Sequence, residues 1–393
     1  MTQVRWPNQA PENCPLGHSA TFTNIVLTGQ HATYTNADTW YPSWATDGNL
    51  YSPWTDGEVN GVACMSLNRR LIDARAADSV AATGQAKIVG TDPLALEVIN
   101  LPVHPGNPAP YEGRYPCGTL VHDGVWYYGT YTLDDLVGPS GNWSRLGPFV
   151  GFRYSSDLGQ TWTETPHTPA APIFGESGKH GSRVKLGAPH FVDFGRNMQH
   201  SPDGKAYLVG HGAEGTNGWA NWIAGDAVYL ARVTPSIQTI NDPKAYEFFA
   251  GHAAGGEPIW TGDFAVMKPL VSWPKQLGCV TITYNAPLRC FLMCVSRPSD
   301  GLWSLGTFDT MLLEAETITG PWHLIHYLRQ FGAEAYFVNI PSKFISADGR
   351  TAWLCYSANF AEKVQRPEPI IHPSTPEGSQ YSLCLQEFTL EAV

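Results

Sequence analysis

The stretch Trp40-Tyr41-Pro42-Ser43-Trp44-Ala45-Thr46-Asp47-Gly48-Asn49-Leu50-Tyr51-Ser52-Pro53-Trp54 sets two aromatic-rich extended runs on either side of an Asp-Gly dipeptide. Asp-Gly supplies the positive φ that a tight hairpin turn needs, so the stretch predicts a β-hairpin. Asp123-Gly124-Val125-Trp126-Tyr127-Tyr128, Asp203-Gly204-Lys205-Ala206-Tyr207-Leu208 and Asp348-Gly349-Arg350-Thr351-Ala352-Trp353 repeat the phrase. Tyr284-Asn285-Ala286-Pro287-Leu288-Arg289-Cys290-Phe291 is a degenerate copy. The five anchors, at 47, 123, 203, 285 and 348, lie 76, 80, 82 and 63 residues apart, room for one four-stranded sheet and its loops per repeat. This predicts an all-β chain forming a single β-propeller of five blades, with seven as the fallback should the repeats hide further blades.

Composition agrees. Of 393 residues, 12% are aromatic and only 15% charged, with 39 Gly and 31 Pro, a balance that favours short strands and turns over helices. Residues 1–19 are Pro-rich and read as a surface arm; residues 20–393 read as the propeller. The alternating run at 20–27 has no partner in its own repeat and is expected to pair with the last strand, near 381–388, closing the ring and removing an open edge. Loops at 165–188, 212–224, 252–266 and 361–379 are long enough to wall a binding site.

A net charge of −11 without a basic run excludes nucleic acid and anionic membrane surfaces as main partners. No stretch approaches 18 consecutive apolar residues. Eight cysteines are scattered without zinc-like spacing, and the sequon Asn142-Trp143-Ser144 is a glycosylation candidate in a secreted context. The N-terminus does not read as a signal peptide; an extracellular location is expected from the function below, with an intracellular one left open. Neither Gly210-His211-Gly212 nor the Gly-rich run at 251–256 joins a strand to a helix as a phosphate loop must, and no Ser-centred nucleophile elbow occurs. No metal ligand set and no required cofactor are predicted. A structural calcium near the axis is compatible with the loops but has no dedicated motif. A monomer is expected.

Ser155-x-Asp157-x-Gly159-x-Thr161-Trp162 matches at every defining position the Asp-box of sialidase-type propellers, a motif that caps a turn and packs a Trp between strands rather than performing chemistry. Thr319-Gly320-Pro321-Trp322 after an acidic strand, with one Asp-Gly hairpin per repeat, resembles the five-bladed glycoside hydrolases that include arabinanases and fructosidases. The layout of the whole chain also resembles propellers of the rhamnose–glucuronate lyase type. These resemblances imply glycan chemistry on a polysaccharide or oligosaccharide.

Propeller sites lie where the innermost strands meet the axis, one strand upstream of each turn. That register selects Asp38, Trp40 and Tyr41; Glu112, Arg114 and Tyr115; Lys185, His190 and Asp193; Asp263, Lys268 and Trp273; and Glu334, Tyr336 and Asn339, with His31 close before Asp38. Two chemistries fit. Arg114, Lys185, His190 and Lys268 converging on a uronate carboxylate, with His190 or Tyr115 taking the C5 proton, would perform β-elimination. This lyase reading is placed narrowly first. The alternative is hydrolysis by paired carboxylates, Asp38 with Asp193 or Glu334; the hydrolase resemblance implies an acidic residue in the second repeat, where Arg114-Tyr115 stands instead. A glycan-binding propeller without chemistry is the third reading. In it Trp40, Tyr41 and Tyr336 are sugar-stacking or packing residues.

Overall fold

The computed structural model describes residues 2–66, 81–103, 111, 113–134, 145–176, 184–215, 218, 220–299, 307–358 and 376–393. Glu112, His180, the Asn142 sequon and most of loop 361–379 lie outside the described residues.

The chain forms five antiparallel sheets in sequence order, so it is a five-bladed propeller, not a seven-bladed one. Blade 1 runs from the axis outward through Asn36–Asp38, Leu50–Val59, Gly84–Val89 and Glu97–Asn100. Blade 2 is Tyr115–His122, Val125–Asp134 and Arg145–Ser155, with Tyr154 bridging to Thr163 at its edge. Blade 3 begins with His190–Phe191, Ala206–Gly212 and Gly225–Val233. It then widens: both Glu247–His252 and Pro269–Leu277 pair with 225–233, and Pro258–Thr261 completes an outer hairpin. Blade 4 is Val280–Asn285, Cys290–Pro298, Phe308–Ala315 and His323–Leu328. Blade 5 takes Tyr336–Asn339, Thr351–Ser357 and Cys384–Ala392 from the end of the chain and Phe22–Thr33 from its beginning. The N-terminal strand therefore closes the ring.

Each Asp-Gly anchor is the turn between a blade's first two strands. Gly48, Gly124, Gly204 and Gly349 have φ between 71° and 84°, and in the degenerate copy Arg289 (φ 54°) takes that role. The Asp side chains of 47, 203 and 348 accept the backbone N–H two residues on, fixing the turn. The Asp-box behaves likewise: Asp157 accepts from Ser155 Oγ (2.7 Å), Thr161 N (2.8 Å) and Thr161 Oγ1 (2.6 Å), while Trp162 packs edge-on against Trp126 and Tyr128.

The arm is docked. Ser19 N donates to Leu324 O and Leu324 N to Gly17 O, Asn8 holds Tyr327 N and Ile325 O, and Trp6 packs on Phe331. It covers the outermost strand of blade 4, which would otherwise expose an edge. All eight cysteines are free thiols, seven of them buried. Among the described residues no helix is long and apolar enough to cross a membrane.

Candidate active site on the propeller axis

The inner strands leave two pockets on the axis, one at each end. The pocket nearer the Asp-Gly turns is lined by Tyr41, Thr119, His190, Asp193, Thr283 and Asn339 among others; the opposite one by Asp38, Thr39, Asp56, Tyr115, Tyr131, Leu133, Trp222, Tyr336 and Phe337. Their empty volumes, about 340 and 330 Å³, are nearly equal, so size does not choose between them.

Chemistry does. In the Asp38 pocket a buried carboxyl, Asp38, and a half-buried one, Asp56, come together. Asp38 ends the inner strand of blade 1, opposite Thr55 on the second strand, and Asp56 follows Thr55. Asp38 accepts hydrogen bonds from Tyr336 OH (2.7 Å) and Thr39 Oγ1 (2.8 Å). Asp56 accepts from Ser66 N (2.7 Å) and from the Ser66 hydroxyl, and Tyr381 OH donates to its backbone oxygen (2.7 Å). Burial first, then the Asp56 charge, hold the Asp38 carboxyl well above the ordinary carboxylate range against its hydrogen bonds; burial raises Asp56 too. Two carboxyls so placed resist ionising together.

The backbone there is strained. Thr39 (φ 67°), Asp56 (φ 46°) and Phe337 (φ 55°) are all left-handed non-glycine residues lining this one pocket. For β-branched Thr39 and bulky Phe337 this is costly, of order 1–3 kcal/mol each, and such outliers concentrate at functional sites. Around the carboxyls stand Tyr115, Tyr131, Trp222, Tyr336 and Phe337, with Trp222 edge-on to Tyr336 at 5.6 Å. Trp222 arrives on loop 212–224, one of the loops expected to wall a site. Asn221 Oδ1 accepts from Ile223 N and Ala224 N, and Cys279 Sγ donates to Trp222 O (3.1 Å). A Cβ on Gly278 would fall 1.6 Å from Ile223 O, so only glycine lets this loop seat against blade 4. None of the lining residues is Arg, Lys or His.

The other pocket is built differently. Asp193 is half-buried, and its oxygens accept from Gly195 N (2.9 Å), Ser342 N (2.7 Å) and Ser342 Oγ (2.7 Å), pinning blade 3 to blade 5. Asn339 Nδ2 donates to the carbonyls of Trp40, Phe337 and Cys355. His190 lies against Tyr41 with ring centroids 3.7 Å apart, and burial holds its imidazole down at about 3, so it is neutral.

Of the residues the register selected, Asp38, Tyr115 and Tyr336 share the Asp38 pocket, and Tyr41, His190, Asp193 and Asn339 share the other. The remainder reach neither. Arg114 is buried against the Tyr111 ring and ion-paired with Glu164 (2.5 Å). Trp40 stacks on Trp54 in the core of blade 1. Lys185 Nζ donates to Ala265 O, and Lys268 continues from the outer hairpin of blade 3, its N bonded to Phe249 O. Asp263 caps a short turn there through Ala265 N, and Trp273 is buried on the outer strand 269–277. Glu334 is buried just before the inner strand of blade 5, and His31 lies on the ring-closing strand beside Gly378. The constellation of Arg114, Tyr115 and His190 expected for elimination is therefore not assembled, nor are Asp193 and Glu334 at the Asp38 pocket. Asp56, Trp222, Tyr131 and Phe337 were not anticipated. Asp56 was legible in one respect: Asp56-Gly57 is an Asp-Gly pair inside a strand, where no hairpin turn can fall.

The sequence matches no protein-family model and no curated protein. Solved structures do match. A protein from Bacteroides ovatus to which hydrolase activity is ascribed superposes with a TM-score of 0.50 at 11% identity, covering 99% of this chain and 96% of its own. A family 117 glycoside hydrolase of the marine bacterium Zobellia galactanivorans gives 0.49 at 14% identity over 94% and 91%. A GH43_1 enzyme of Xanthomonas citri gives 0.46 at 13% over 92% and 89%. At these identities the likeness is one of fold.

Proposed function

We propose that this propeller is a glycoside hydrolase whose catalytic pair is Asp38 and Asp56. The observation that carries the reading is the meeting of a buried carboxyl, Asp38, and a half-buried one, Asp56, electrostatically coupled in one strained, aromatic-lined axial pocket. Glycoside hydrolysis needs a carboxylic acid to protonate the leaving oxygen and a carboxylate to attack or to activate water. Asp38, pushed up by burial and by Asp56, holds the proton and delivers it to the glycosidic oxygen as the C–O bond breaks. Asp56, kept in place by two hydrogen bonds from Ser66, takes a proton from water as its oxygen bonds to the anomeric carbon. The aromatic walls supply faces for sugar rings. With carboxyls and no cation among the described lining residues, the sugars at the cleaved bond are neutral.

Hydrolysis is favoured over elimination because the groups elimination requires are dispersed: Arg114 is neutralised by Glu164 and His190 sits in the other pocket. The hydrolase ascription of the Bacteroides ovatus protein of the same fold points the same way. The test is a panel of neutral and uronate-containing glycans incubated with the protein and with Asp38→Asn. New reducing ends that depend on Asp38 support hydrolysis. An ultraviolet-absorbing unsaturated product would instead establish elimination, and binding without either product a lectin.

A further inference from the structure

A third cavity lies away from the axis. Between the docked N-terminal arm and blade 4 is an open cleft of about 960 Å³, the largest of the three. It sits where strands 290–298 and 308–315 reach the Asp38 face: Phe308, next to its lining residue Asp309, packs on Trp222 and Tyr336. Among the described residues its lining has no aromatic ring: beside Ala10 and Pro11 stand the amides of Gln9, Asn13 and Gln276, the guanidiniums of Arg297 and Arg329, and Ser299 with Asp309.

The floor is preformed. Arg297 is buried and donates to Asp309 (3.3 Å) and to the Tyr327 hydroxyl; Asp309 accepts from Ser299 Oγ (2.6 Å), Tyr327 OH (2.7 Å) and Gln330 N (2.9 Å). Arg297 and Asp309 thus cancel. Arg329 is exposed and makes no ion pair among the described residues, which leaves the cleft one positive charge on a chain of net charge −11. Trp6 Nε1 bonds the Arg329 carbonyl (3.0 Å), so the arm fixes that backbone as well as forming the opposite wall.

We infer that this cleft binds a carboxylate-bearing sugar, with Arg329 gripping the carboxylate and Gln9, Asn13 and Gln276 meeting the hydroxyls. A guanidinium pairs a planar carboxylate bidentately, and side-chain amides both donate and accept, as sugar hydroxyls require. The Arg297–Asp309 floor is already ordered, whereas the exposed side chains of Gln9, Asn13 and Arg329 are fixed by the ligand. The choice of a sugar rests on the proposed glycan activity; the choice of an anion rests on this cleft alone. The docked arm then has a purpose beyond covering an edge.

The experiment is saturation-transfer NMR and calorimetry on the full chain with galacturonic and glucuronic acid oligosaccharides, their neutral counterparts, and inorganic sulfate. The expected result is uronate binding at least about tenfold tighter than neutral sugar, the worth of one charge-assisted hydrogen bond. Arg329→Gln should reduce it to the neutral level and Asn13→Ala should weaken it, with melting temperature unchanged in Arg329→Gln. Asp38→Asn should bind uronate as the wild type does, so loss of hydrolysis and loss of this site are read separately. Equal binding of neutral sugar, sulfate binding as tight as uronate, or affinity indifferent to Arg329 overturns the proposal.

Discussion

The two axial pockets have nearly equal volumes and are formed by the same ring of blades, yet they spend their polar groups in opposite ways. Around Asp193 and Asn339 the bonds from Ser342 to Asp193 and from Asn339 to Trp40 O join one blade to another, and the others close a turn or tie strands within a blade. Burial raises the Asp193 carboxyl as it raises Asp38 and Asp56, but Asp38 also faces a second carboxyl, and left-handed Thr39, Asp56 and Phe337 line its pocket. One end of the axis is a joint, and the other is the reaction site we propose. The repeated Asp-Gly turns lie at the joint, and the long, dissimilar connections leave from the other end.

That contrast can be broken by mutation. Asp193→Ala should have the largest effect on stability. It leaves Ser342 N, Ser342 Oγ and Gly195 N without their acceptor, a loss of about 2–4 kcal/mol in urea unfolding, while the folded fraction stays active. Activity falling with stability untouched would reverse the assignment. Tyr336→Phe should cost less, about 1 kcal/mol, through one buried hydrogen bond to Asp38. Because that bond favours the carboxylate, its removal should move the Asp38-dependent limb of the pH–rate profile upward.

The pH dependence of stability sharpens the comparison further. His190, His211 and His326 are buried, which depresses their imidazoles to about 3, 4 and 4. The unfolded chain takes these protons first, so stability should fall as pH drops below about 6.5 and keep falling toward the folded values. Asp38 and Glu176 have raised carboxyls, Glu176 at about 7 through burial. Their contribution is full below about pH 4 and is lost as pH rises to the folded values, about 7 for Glu176 and about 8 for Asp38, so Asp38→Asn and Glu176→Gln should each flatten the decline over that window. Asp157→Ala is the smallest perturbation. Its exposed Asp-box carboxyl, held low at about 2 by Thr161 and Ser155, should cost a little melting temperature and no activity.

The fold was legible because turn chemistry is local. Asp-Gly and the aromatic run after it specify a hairpin wherever they occur, and five of them counted the blades. The ring-closing strand at 20–27 was legible for a related reason, as an alternating run with no neighbour of its own. The site was less so. Reading back one strand length from each turn assumes equal inner strands, but these run from two residues at His190–Phe191 to eight at Tyr115–His122. The register therefore mixed the two ends of the axis, taking Asp38 and Tyr336 from one and His190 and Asp193 from the other. Asp56 and Trp222 stand on a second strand and a long loop, positions that only the folded chain brings to the axis. Arg114 and the lysines looked convergent in sequence, but Arg114 found a carboxylate and Lys185 a backbone carbonyl elsewhere.

The most direct test compares Asp38→Asn and Asp56→Asn with His190→Gln on a single glycan that the wild type cleaves. The account predicts that each carboxyl variant loses about 10²–10⁴-fold in kcat/KM, the range for a general acid or base, while His190→Gln stays within a few-fold of wild type. Retained cleavage in Asp38→Asn together with its loss in a folded His190→Gln would contradict it.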